Sequence, residues 1–498
     1  MANNILEILE ATACRLPEKI LFSDEFEAVT AARLEEMGRR IGSAIAALSA
    51  PFKPIAVLME NRSIHCVEMM MGVLYAGCYY SVIDSKAPLA RIQQIVDSFQ
   101  PTVIVVDEQT AELASRLECG AKLLDCKAAR QQEVNSGVLE AIRQSCGEDS
   151  LVSVVYTSGS TGIPKGVVHS HRAYIAFTEA TVQKYTFTEH TIFANQSPFF
   201  YANSMIDLFP PILAGATVHI MPSRLLSFPV LLIDYLNEHR ITELTMTPSS
   251  YVTVANMGVL EPGCLPTLRY IILCGEVVPW PSLQRWMQAA PNAGIWNHYG
   301  STEAMSIAVW RLDRDFSNGE VIPAGWLFDG VEIRLLDENG ADVPDGEKGE
   351  IMLRNPWMSS GYYGDAEQTA QAYQTDPQGR RYFRTGDIGR FNEEKQLVVY
   401  GRRDQQIKRG GYRMELGEVE YALRAIPEWK DGYVIFQPEK DKLWCFFTGE
   451  LSPRMLKNRL RARLQRYMVP DVFVHLDEMP HTANMKVDRK ALRDMMNA

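Results

Sequence analysis

The sequence YTSGSTGIPKGV at residues 156–167 joins an apolar segment to a run of hydroxyl side chains and glycines. The apolar segment, Leu151–Tyr156, has the length and β-branching of a buried strand. Glycines let backbone N–H groups turn toward an anion, hydroxyl groups add donors, and Lys165 adds a point charge suited to a polyphosphate. The loop is not a Walker A motif, because Pro164 stands where that motif has glycine before its lysine. A Gly/Ser-rich stretch alone is usually a flexible linker, but its position after a buried strand favours a phosphate-binding loop.

The composition is that of an ordinary globular protein with two or three domains. The chain has 498 residues, 46% hydrophobic and 22% charged, and is longer than one hydrophobic core usually serves. Its net charge of −11 argues against general nucleic-acid binding. The N-terminus lacks the features of a signal peptide, and no apolar run reaches membrane-spanning length. Nine scattered cysteines without a Cys-x-x-Cys pair predict free thiols, no structural zinc and a cytoplasmic location.

The hydrophobic pattern changes twice along the chain and predicts an α/β protein. Up to about residue 330, helical patterns alternate with short apolar strands, as in a large layered α/β domain. From there to 403, short strands with glycine turns predict a small β subdomain of that domain. Residues 404–498 are predicted to form a compact α+β lid with a second helix near Pro453–Met468. The predicted strands are Ile55–Met59, Thr102–Val106, Ala216–Ile220, Tyr270–Leu273, Val331–Leu336, Gly349–Leu353, Tyr382–Thr385, Leu397–Tyr400, Gly432–Phe436 and Trp444–Thr448, and Ile64–Tyr75 is predicted to be a helix.

Four more segments carry side chains that suit a nucleotide. In the sequence NHYGSTE at 297–303, which follows a short apolar strand, a tyrosine can stack on a purine and a carboxylate can hold the Mg²⁺ that accompanies ATP. Asp387 follows a glycine turn and can accept hydrogen bonds from ribose hydroxyls. The sequence GRRDQQIK at 401–408 lies on the predicted domain boundary, and Lys486 lies in a polar turn. Taken singly, Tyr299 could be a core aromatic, Asp387 a turn residue and Lys486 a solvated lysine.

The order and spacing of these five motifs resemble the adenylate-forming superfamily, which includes non-ribosomal peptide adenylation domains, acyl-CoA synthetases and luciferases. The resemblance covers nearly the whole chain and includes AGCYY at 76–80 and a glycine turn, GYYG, at 361–364. Within the superfamily, the chain looks most like the stand-alone D-alanine–carrier protein ligases. That closer similarity is carried by NQSPF at 195–199, LCGEV at 273–277 and GYRMEL at 411–416.

The resemblance implies a two-step ligase reaction that uses ATP and Mg²⁺. A carboxylate attacks the α-phosphate to give an acyl-adenylate and pyrophosphate, and a thiol then takes the acyl group and releases AMP. A donor-rich loop, lysines and a metal suit this chemistry, because phosphate charge must be neutralised and the reactants aligned. The expected acceptor is the phosphopantetheine of a separate carrier protein, since the chain stops at Ala498 without a carrier domain. Free CoA as acceptor, an amide synthetase and an inactive binding protein are the alternatives.

The resemblance also implies a role for each motif residue. The residues that would hold phosphates are Thr157, Ser158, Gly159, Ser160, Thr161, Gly162 and Lys165. The residues around adenine and ribose would be Gly275, Glu276, Asn297, His298, Tyr299, Gly300, Thr302, Asp387 and Arg402. Glu303 would anchor Mg²⁺, and Lys486 would bridge the substrate carboxylate and the nucleotide, with Thr157 and Lys165 as further catalytic residues. The C-terminal lid would swing about Asp404, with Gly410-Gly411 lining the pantetheine passage. An inactive protein would be expected to have lost some of these side chains.

One position departs from the amino-acid-activating relatives. They bind the α-ammonium with an aspartate that follows an aromatic residue, and counting back from Gly215 places Ala202 there. A buried ammonium without a carboxylate is costly, so the pocket should not favour an ordinary α-amino acid. The alternative is that Asp207 or another group takes over this role.

The remaining pocket residues implied by the resemblance are Tyr201, Asn203, Ile206, Ile272, Cys274, His298, Ser306 and Ile307. They suit a small or medium carboxylic acid that is neutral, or whose amine is displaced from the α-carbon. Cys274 is interpreted as a pocket wall, because the reaction needs no covalent enzyme intermediate. His298 could contact the acid or could instead be a packed histidine.

A basic helix near 453–468 offers a surface for a partner. Its cationic side chains are Arg454, Lys457, Arg459, Arg461, Arg463 and Arg466, and its apolar face carries Leu456, Leu460 and Leu464. Such a run is usually a solvated face. In a chain of net charge −11 it could also dock an acidic carrier protein by electrostatic steering.

Overall fold

The structure is a computed structural model, and it describes residues 2–87, 89–157, 164–274, 280–312, 322–402, 406–409, 412–437, 440–462, 464, 468–482 and 485–496. The helices are α1 Leu6–Arg15, α2 Ala31–Ala46, α3 Ile64–Tyr75, α4 Leu89–Phe99, α5 Ala111–Ser115, α6 Cys126–Arg130, α7 Ser136–Ser145, α8 His171–Tyr185, α9 Phe209–Ala214, α10 Pro229–Glu238, α11 Pro248–Asn256, α12 Trp280–Ala289, α13 Ala366–Ala372, α14 Leu416–Arg424, α15 Pro453–Arg461 and α16 Arg489–Met495. Short 3₁₀ turns span Ala202–Met205 and Ser223–Leu226.

The strands, in chain order, are β1 Ile20–Ser23, β2 Ala28–Thr30, β3 Pro54–Leu58, β4 Tyr79–Val82, β5 Val103–Val106, β6 Lys122–Asp125, β7 Leu151–Thr157, β8 Lys165–Ser170, β9 Ile192–Asn195, β10 Thr217–Ile220, β11 Glu243–Met246, β12 Tyr270–Cys274, β13 Gly294–Ser301, β14 Met305–Arg311, β15 Trp326–Leu327, β16 Glu332–Leu336, β17 Gly349–Arg354, β18 Gly361–Tyr362, β19 Tyr373–Thr375, β20 Arg381–Phe391, β21 Leu397–Arg402, β22 Gln406–Arg409, β23 Tyr412–Glu415, β24 Asp431–Gln437, β25 Lys442–Thr448 and β26 Val472–His475.

Two large mixed sheets form most of the N-terminal part. One has the order β15-β14-β13-β12-β11-β9-β10-β1-β2, and the other has the order β18-β8-β7-β4-β3-β5-β6. Neighbours from β1 to β13 in the first sheet are parallel, whereas β14 runs antiparallel to β13. In the second sheet, the neighbouring strands in the run β7-β4-β3-β5-β6 are parallel, and β8 pairs antiparallel with β7. Parallel strands connected by helices give the layered α/β arrangement that the alternating pattern predicted.

Helices α2 and α3 pack closely on each other in the core of the N-terminal part. Helix α3 begins because the Ser63 hydroxyl accepts a hydrogen bond from Cys66 N at 3.2 Å, which satisfies an otherwise free N–H group. The side chains of Met69, Met70 and Met71 are fully buried, so they serve as core packing. A Cβ at Gly72 would lie 2.2 Å from Ile41 Cγ2, so only glycine permits this close helix approach.

The remaining strands form smaller sheets. The order β16-β17-β20-β19, with β21 paired to β20, forms the predicted β subdomain. The C-terminal part contains the hairpin β22-β23 and the sheet β24-β25-β26. Apolar side chains of α14, β25 and α15, such as Leu423, Phe447 and Leu456, are buried in a separate core. The predicted α/β class is confirmed. The boundary at 403–404 lies outside the described residues, so the division into two domains stays a prediction.

Most predicted elements lie within a residue or two of their positions, and three differ. Strand β20 continues from Arg381 to Phe391 instead of ending at Thr385. The segment 297–303 begins inside β13, which continues to Ser301, and not after that strand. Helix α15 ends at Arg461, earlier than the predicted Met468. Within the described part of the chain, no helix combines the length and the apolar character that a bilayer crossing needs.

Candidate active site

The predicted pocket residues gather at the carboxyl ends of parallel strands. Strand β9 ends at Asn195 and leads to the 3₁₀ turn Ala202–Met205, and β12 ends at Cys274. In the neighbouring strand β13, His298 lies directly opposite Cys274 in register. The carboxyl edge of a parallel sheet is the usual ligand-binding edge of α/β proteins.

The two ends of the predicted phosphate loop are held together by strand pairing. Thr157, the last residue of β7, lies opposite Lys165, the first residue of β8. The Thr157 hydroxyl donates to the Lys165 carbonyl at 3.5 Å. Five predicted phosphate ligands in this loop, Ser158, Gly159, Ser160, Thr161 and Gly162, lie outside the described residues. The antiparallel pairing therefore fixes both ends of the loop, at Thr157 and at Lys165.

Lys165 lies against two groups that are distant in sequence. Its Nζ is 3.4 Å from Glu303 Oε1 and donates to Tyr362 Oη at 3.1 Å. Tyr362 Oη in turn donates to Glu303 Oε1 at 2.8 Å. We call these three residues the charged triangle. It places a cation and a carboxylate beside the beginning of β8, where a polyphosphate with its metal would need both.

The backbone around Glu303 is fixed by close contacts. Glu303 lies in the tight turn between β13 and β14, where a Cβ at Gly300 would lie 2.0 Å from Met305 O. Glu303 O accepts from Ser359 N at 2.8 Å. His169 Nε2 lies 2.9 Å from Thr302 O. Burial lowers the pKa of His169 to about 4, so its ring is neutral and the nitrogen facing the carbonyl carries the proton. The predicted Gly300 and Thr302 thus shape the turn through their backbone.

A hydrogen bond joins Tyr299, predicted to bind adenine, to Asp387, predicted to bind ribose. Tyr299 Oη in β13 of the first large sheet donates to Asp387 Oδ2 in β20 of the small subdomain sheet. Gly386 has a φ of 74° and the Asp387 N–H donates to Thr385 Oγ1 at 2.9 Å, which sets the direction of the carboxylate inside β20. Asp387 lies opposite Arg402 in the β20–β21 pairing. The Arg402 side chain and residues Gly275 and Glu276 lie outside the described part of the chain.

Two predicted residues of β13 have partners away from the triangle. The Asn297 side-chain amide donates to Pro323 O at 2.9 Å. His298 Nδ1 lies 2.8 Å from Ser306 Oγ, and His298 Nε2 is hydrogen-bonded to the Tyr185 hydroxyl. Burial lowers the pKa of His298 to about 3, so the ring is neutral. With both ring nitrogens engaged, His298 is a packed histidine that orients the hydroxyl of the predicted pocket residue Ser306.

The predicted acid pocket is mostly apolar, and besides the His298–Ser306 hydrogen bond it contains a weak contact made by a thiol. Ile206, Ile272 and Ile307 are almost completely buried. Cys274 Sγ donates to Asn203 Oδ1 at 3.4 Å. Burial raises the pKa of the Cys274 thiol to about 12, which leaves it protonated and unsuited to nucleophilic attack.

The C-terminal lysine reaches this pocket. Lys486 Nζ lies 5.5 Å from the centroid of the Tyr201 ring, next to Ala202. Its positive charge also acts on Cys274, where it opposes the rise in the thiol pKa. The predicted hinge Asp404 and the predicted passage residues Gly410 and Gly411 lie outside the described residues.

Asp207, the alternative ammonium ligand of the pocket segment, is buried in the core. It has no exposed surface, and its Oδ2 accepts from Asn195 Nδ2 at 2.9 Å. Burial raises the pKa of Asp207 to about 8. The buried Glu243 nearby has a raised pKa because of its own burial and the charge of Asp207. Sequence reasoning gave Glu243 no role, because nothing in its local sequence separates a buried glutamate from a surface one.

The basic helix is partly confirmed as an amphipathic element. Leu456 and Leu460 of α15 are fully buried, while Arg454 and Arg461 are exposed. Arg459 forms a bidentate pair with Glu428. Arg463 and Arg466 lie outside the described residues.

Comparisons with known proteins show the family to which the chain belongs. The profile of the AMP-binding enzyme family matches residues 9–363. A D-alanine–D-alanyl carrier protein ligase of Bacillus cereus (strain G9842) is 28% identical over 511 residues, covering 99% of this chain and 100% of that protein. A solved four-domain nonribosomal peptide synthetase bound to AMP and glycine superposes with a TM-score of 0.81 at 27% identity. It matches 98% of this chain, which spans only 36% of that synthetase.

A second solved structure, Klebsiella oxytoca NpsA in complex with 3-hydroxyanthranilyl-AMSN, superposes with a TM-score of 0.86 over the full length of both chains. At 20% identity it supports the fold alone. The family profile spans the predicted phosphate loop, the charged triangle and the acid pocket. The chain therefore belongs to the AMP-binding enzyme family and is an adenylate-forming ligase.

Proposed function

We propose that the protein activates a small or medium carboxylic acid with ATP and passes the acyl group to the phosphopantetheine thiol of a separate carrier protein. The observation that carries this proposal is the position of Lys486, whose amine lies 5.5 Å from the Tyr201 ring at the acid pocket. An ammonium group there can bind the substrate carboxylate and a phosphate oxygen together, and so align the two reactants.

The reaction proceeds in two displacements. A carboxylate oxygen attacks the α-phosphorus of ATP, the bond from that phosphorus to the bridging oxygen of pyrophosphate breaks, and pyrophosphate leaves with the electron pair. The carrier thiolate, its proton lost to solvent, then attacks the acyl carbon. The bond between that carbon and the AMP oxygen breaks, and AMP leaves. Both steps need aligned reactants and neutralised phosphate charge.

Different residues would bind the phosphates and the nucleoside. Thr157, the loop 158–162 and Lys165 bind phosphates, and Lys486 completes the set of cations. The contact between Tyr299 and Asp387 supports a joint role at adenine and ribose, which Arg402 and the backbone of residues 275–276 share. The C-terminal residues 404–498 form a lid that turns about Asp404 after adenylation. The segment 410–411 then lines the path of the pantetheine arm.

Glu303 is the residue suited to Mg²⁺. Its carboxylate offers hard oxygen ligands, and it lies 3.4 Å from the lysine that would bind phosphate. Among the described residues, no cluster of three or more histidine, cysteine or acidic side chains could hold a metal. A nucleotide-bound Mg²⁺ fits this arrangement, because it needs only one or two carboxylates beside phosphate oxygens. Bound there, the ion would neutralise phosphate charge.

The acid is proposed to lack an α-amine. Ala202 supplies no charge, Asp207 is completely buried and hydrogen-bonded to Asn195, and Ile206, Ile272 and Ile307 leave an apolar pocket. A charged ammonium in these surroundings would lose its hydration without a carboxylate to replace it. A neutral small acid, or one whose amine is displaced from the α-carbon, avoids this cost.

The proposal is tested by acid-dependent exchange of labelled pyrophosphate into ATP across a panel of carboxylic acids. We expect exchange with small neutral acids or with acids whose amine is displaced from the α-carbon. Transfer is then measured with a phosphopantetheine-bearing carrier protein, with CoA and with free amines. Faster turnover with CoA or an amine would replace the carrier proposal. No exchange with any acid would contradict the activation step itself.

Helix α15 is the proposed carrier-docking surface. Reversing Arg454 and Lys457 to Glu should slow transfer to an acidic carrier by about tenfold at low salt, because steering depends on charge. Adenylation should not change, and acidic residues near a helix N-terminus are tolerated. The matched control reverses Arg116 and Lys127, exposed cations of the N-terminal part. Equal effects of the two double variants on transfer would exclude docking at α15.

A further inference from the structure

The hydroxyl of Tyr362 connects the two charged groups of the triangle. It accepts from Lys165 Nζ at 3.1 Å and donates to Glu303 Oε1 at 2.8 Å. Lys165 Nζ also lies 4.6 Å from the centroid of the Tyr362 ring, within range of a cation–π interaction. The phenol thus binds the cation through its oxygen and ring, and the carboxylate through its proton.

Tyr362 is held by groups other than these two partners. It belongs to β18 and lies opposite Val167 of β8. Its backbone N–H donates to Thr369 Oγ1 at 3.0 Å, and its ring packs edge-to-face on Tyr373 at 6.1 Å. The ring is therefore fixed by the scaffold. The contacts that fix it do not involve Lys165 or Glu303.

The charged triangle must open for the proposed reaction. In the structure, Lys165 and Glu303 neutralise each other at 3.4 Å. Phosphate would attract Lys165, and Mg²⁺ would attract Glu303, so the same two side chains would need to exchange partners. A carboxylate with only 10% of its side chain exposed needs a hydrogen-bond donor when its lysine leaves. The Tyr362 hydroxyl is that donor.

We propose that Tyr362 is a positioning residue for the Mg²⁺–nucleotide complex: its hydroxyl holds the Glu303 carboxylate in place while Lys165 turns from the carboxylate to the phosphates. This inference rests on the proposed function, because it assumes that Glu303 receives the metal. Without the hydroxyl, the carboxylate would follow Lys165, and the ion pair would compete with the bound complex.

The test is equilibrium binding of a non-hydrolysable ATP analogue to Tyr362→Phe, with Mg²⁺ and with a chelator. In the wild type, Mg²⁺ should strengthen binding. In the variant that gain should fall about tenfold, the usual effect of losing one hydrogen bond to a charged group. Metal-free binding should stay within about twofold, since the phosphate contacts of Lys165 are kept. The concentration of Mg²⁺ that half-saturates exchange should rise, while the KM for the acid stays the same.

Tyr363→Phe is the matched control. It removes the phenol hydroxyl of the adjacent tyrosine, but that hydroxyl is bonded to Tyr79 Oη at 3.0 Å. Its Mg²⁺-dependent gain should equal that of the wild type. A full gain in Tyr362→Phe, or an equal loss with and without Mg²⁺, would overturn the proposal.

A second variant keeps the inference testable if Tyr362→Phe folds poorly. Glu303→Gln keeps the size of the side chain and should lose the Mg²⁺-dependent gain by itself. Adding Tyr362→Phe to it should cause no further loss, because the hydroxyl acts through the carboxylate. Independent, additive losses would contradict this. Failure of the proposed function would show differently, as wild-type protein that binds Mg²⁺–ATP yet exchanges pyrophosphate with no acid.

Discussion

The predicted phosphate end and the predicted acid pocket are built in opposite ways. At the predicted phosphate end, Lys165, Glu303 and Tyr362 are in direct polar contact. In the predicted acid pocket, the polar contact between Cys274 and Asn203 is long, and the surrounding isoleucines are buried. In the proposed reaction, the first end would meet triphosphate, whose charge is the same for every substrate acid. The second would meet the acid itself, so its residues would set the specificity.

The two ends also use buried carboxyl groups differently. Glu303 keeps a partly exposed carboxylate beside a cation. Asp207 is fully buried with one amide donor, and burial raises its pKa to about 8. A carboxyl group buried like that of Asp207 is neutral over much of the physiological pH range and supports the fold. Chemistry is therefore expected at Glu303 and packing at Asp207.

The largest expected effect comes from removing the C-terminal cation at the acid pocket. Lys486→Ala should lower pyrophosphate exchange by about 100-fold to 1,000-fold, the usual loss for one group that stabilises charge in a transition state. ATP binding, measured by calorimetry, should change little, because the other phosphate ligands are kept. Lys490→Ala, which removes an exposed lysine four residues away, is the control. Unchanged exchange in Lys486→Ala would remove Lys486 from the mechanism.

A smaller effect should appear when the acid pocket is given a carboxylate, as the phosphate end has in Glu303. Ala202→Asp should raise the ratio of kcat/KM for D-alanine to that for propionate by about tenfold to 100-fold, as expected for a new charge-assisted hydrogen bond. Ala202→Asn has the same size without the charge and should give a much smaller change. If both variants shift the ratio equally, the missing charge at Ala202 does not set specificity.

The smallest expected effect concerns stability rather than activity. The folded-state pKa of Asp207 is raised to about 8, so the folded protein holds a proton that the unfolded chain releases near pH 4. Stability from this group is complete below pH 4 and is lost as the pH rises toward 8. Asp207→Asn should reduce the fall in unfolding free energy between pH 5 and pH 8 by at least about 1.4 kcal/mol, the equivalent of one pKa unit.

Chemical unfolding of wild type and variant at both pH values measures this. The exposed carboxylate variant Glu261→Gln should leave the pH dependence as it is in the wild type. An unchanged slope in Asp207→Asn would show that the proton of the buried Asp207–Glu243 pair resides on Glu243 and that Asp207 is charged in the folded protein, and would reopen Asp207 as a ligand for a substrate amine.

Local patterns predicted the fold well where the signal was periodic. Helix Ile64–Tyr75 matches its predicted limits, and β3 is shifted by one residue at each end. The family and the adenylate-forming reaction were also predicted, because five spaced motifs are rarely a coincidence. Strand β20 was predicted too short because Gly386 looked like a turn. Pairing with β17 and β21 carries the strand through it, and the glycine only bends the chain.

Contacts between distant segments had no local signal. In the sequence, Tyr362 was recognised only as part of a glycine turn. The partners of its hydroxyl, Lys165 and Glu303, are 197 and 59 residues away. The packed state of His298 depends on Tyr185, which is 113 residues distant. The first case follows from the pairing of β18 with β8, and the second from the contact of the end of helix α8 with β13.

Pyrophosphate exchange by the wild-type protein, with propionate and D-alanine compared side by side, tests the central claim most directly. The two acids differ only in the α-amine. We predict a higher kcat/KM for propionate, because the pocket around Ala202 offers an ammonium group no carboxylate. A higher value for D-alanine would contradict this account of the pocket.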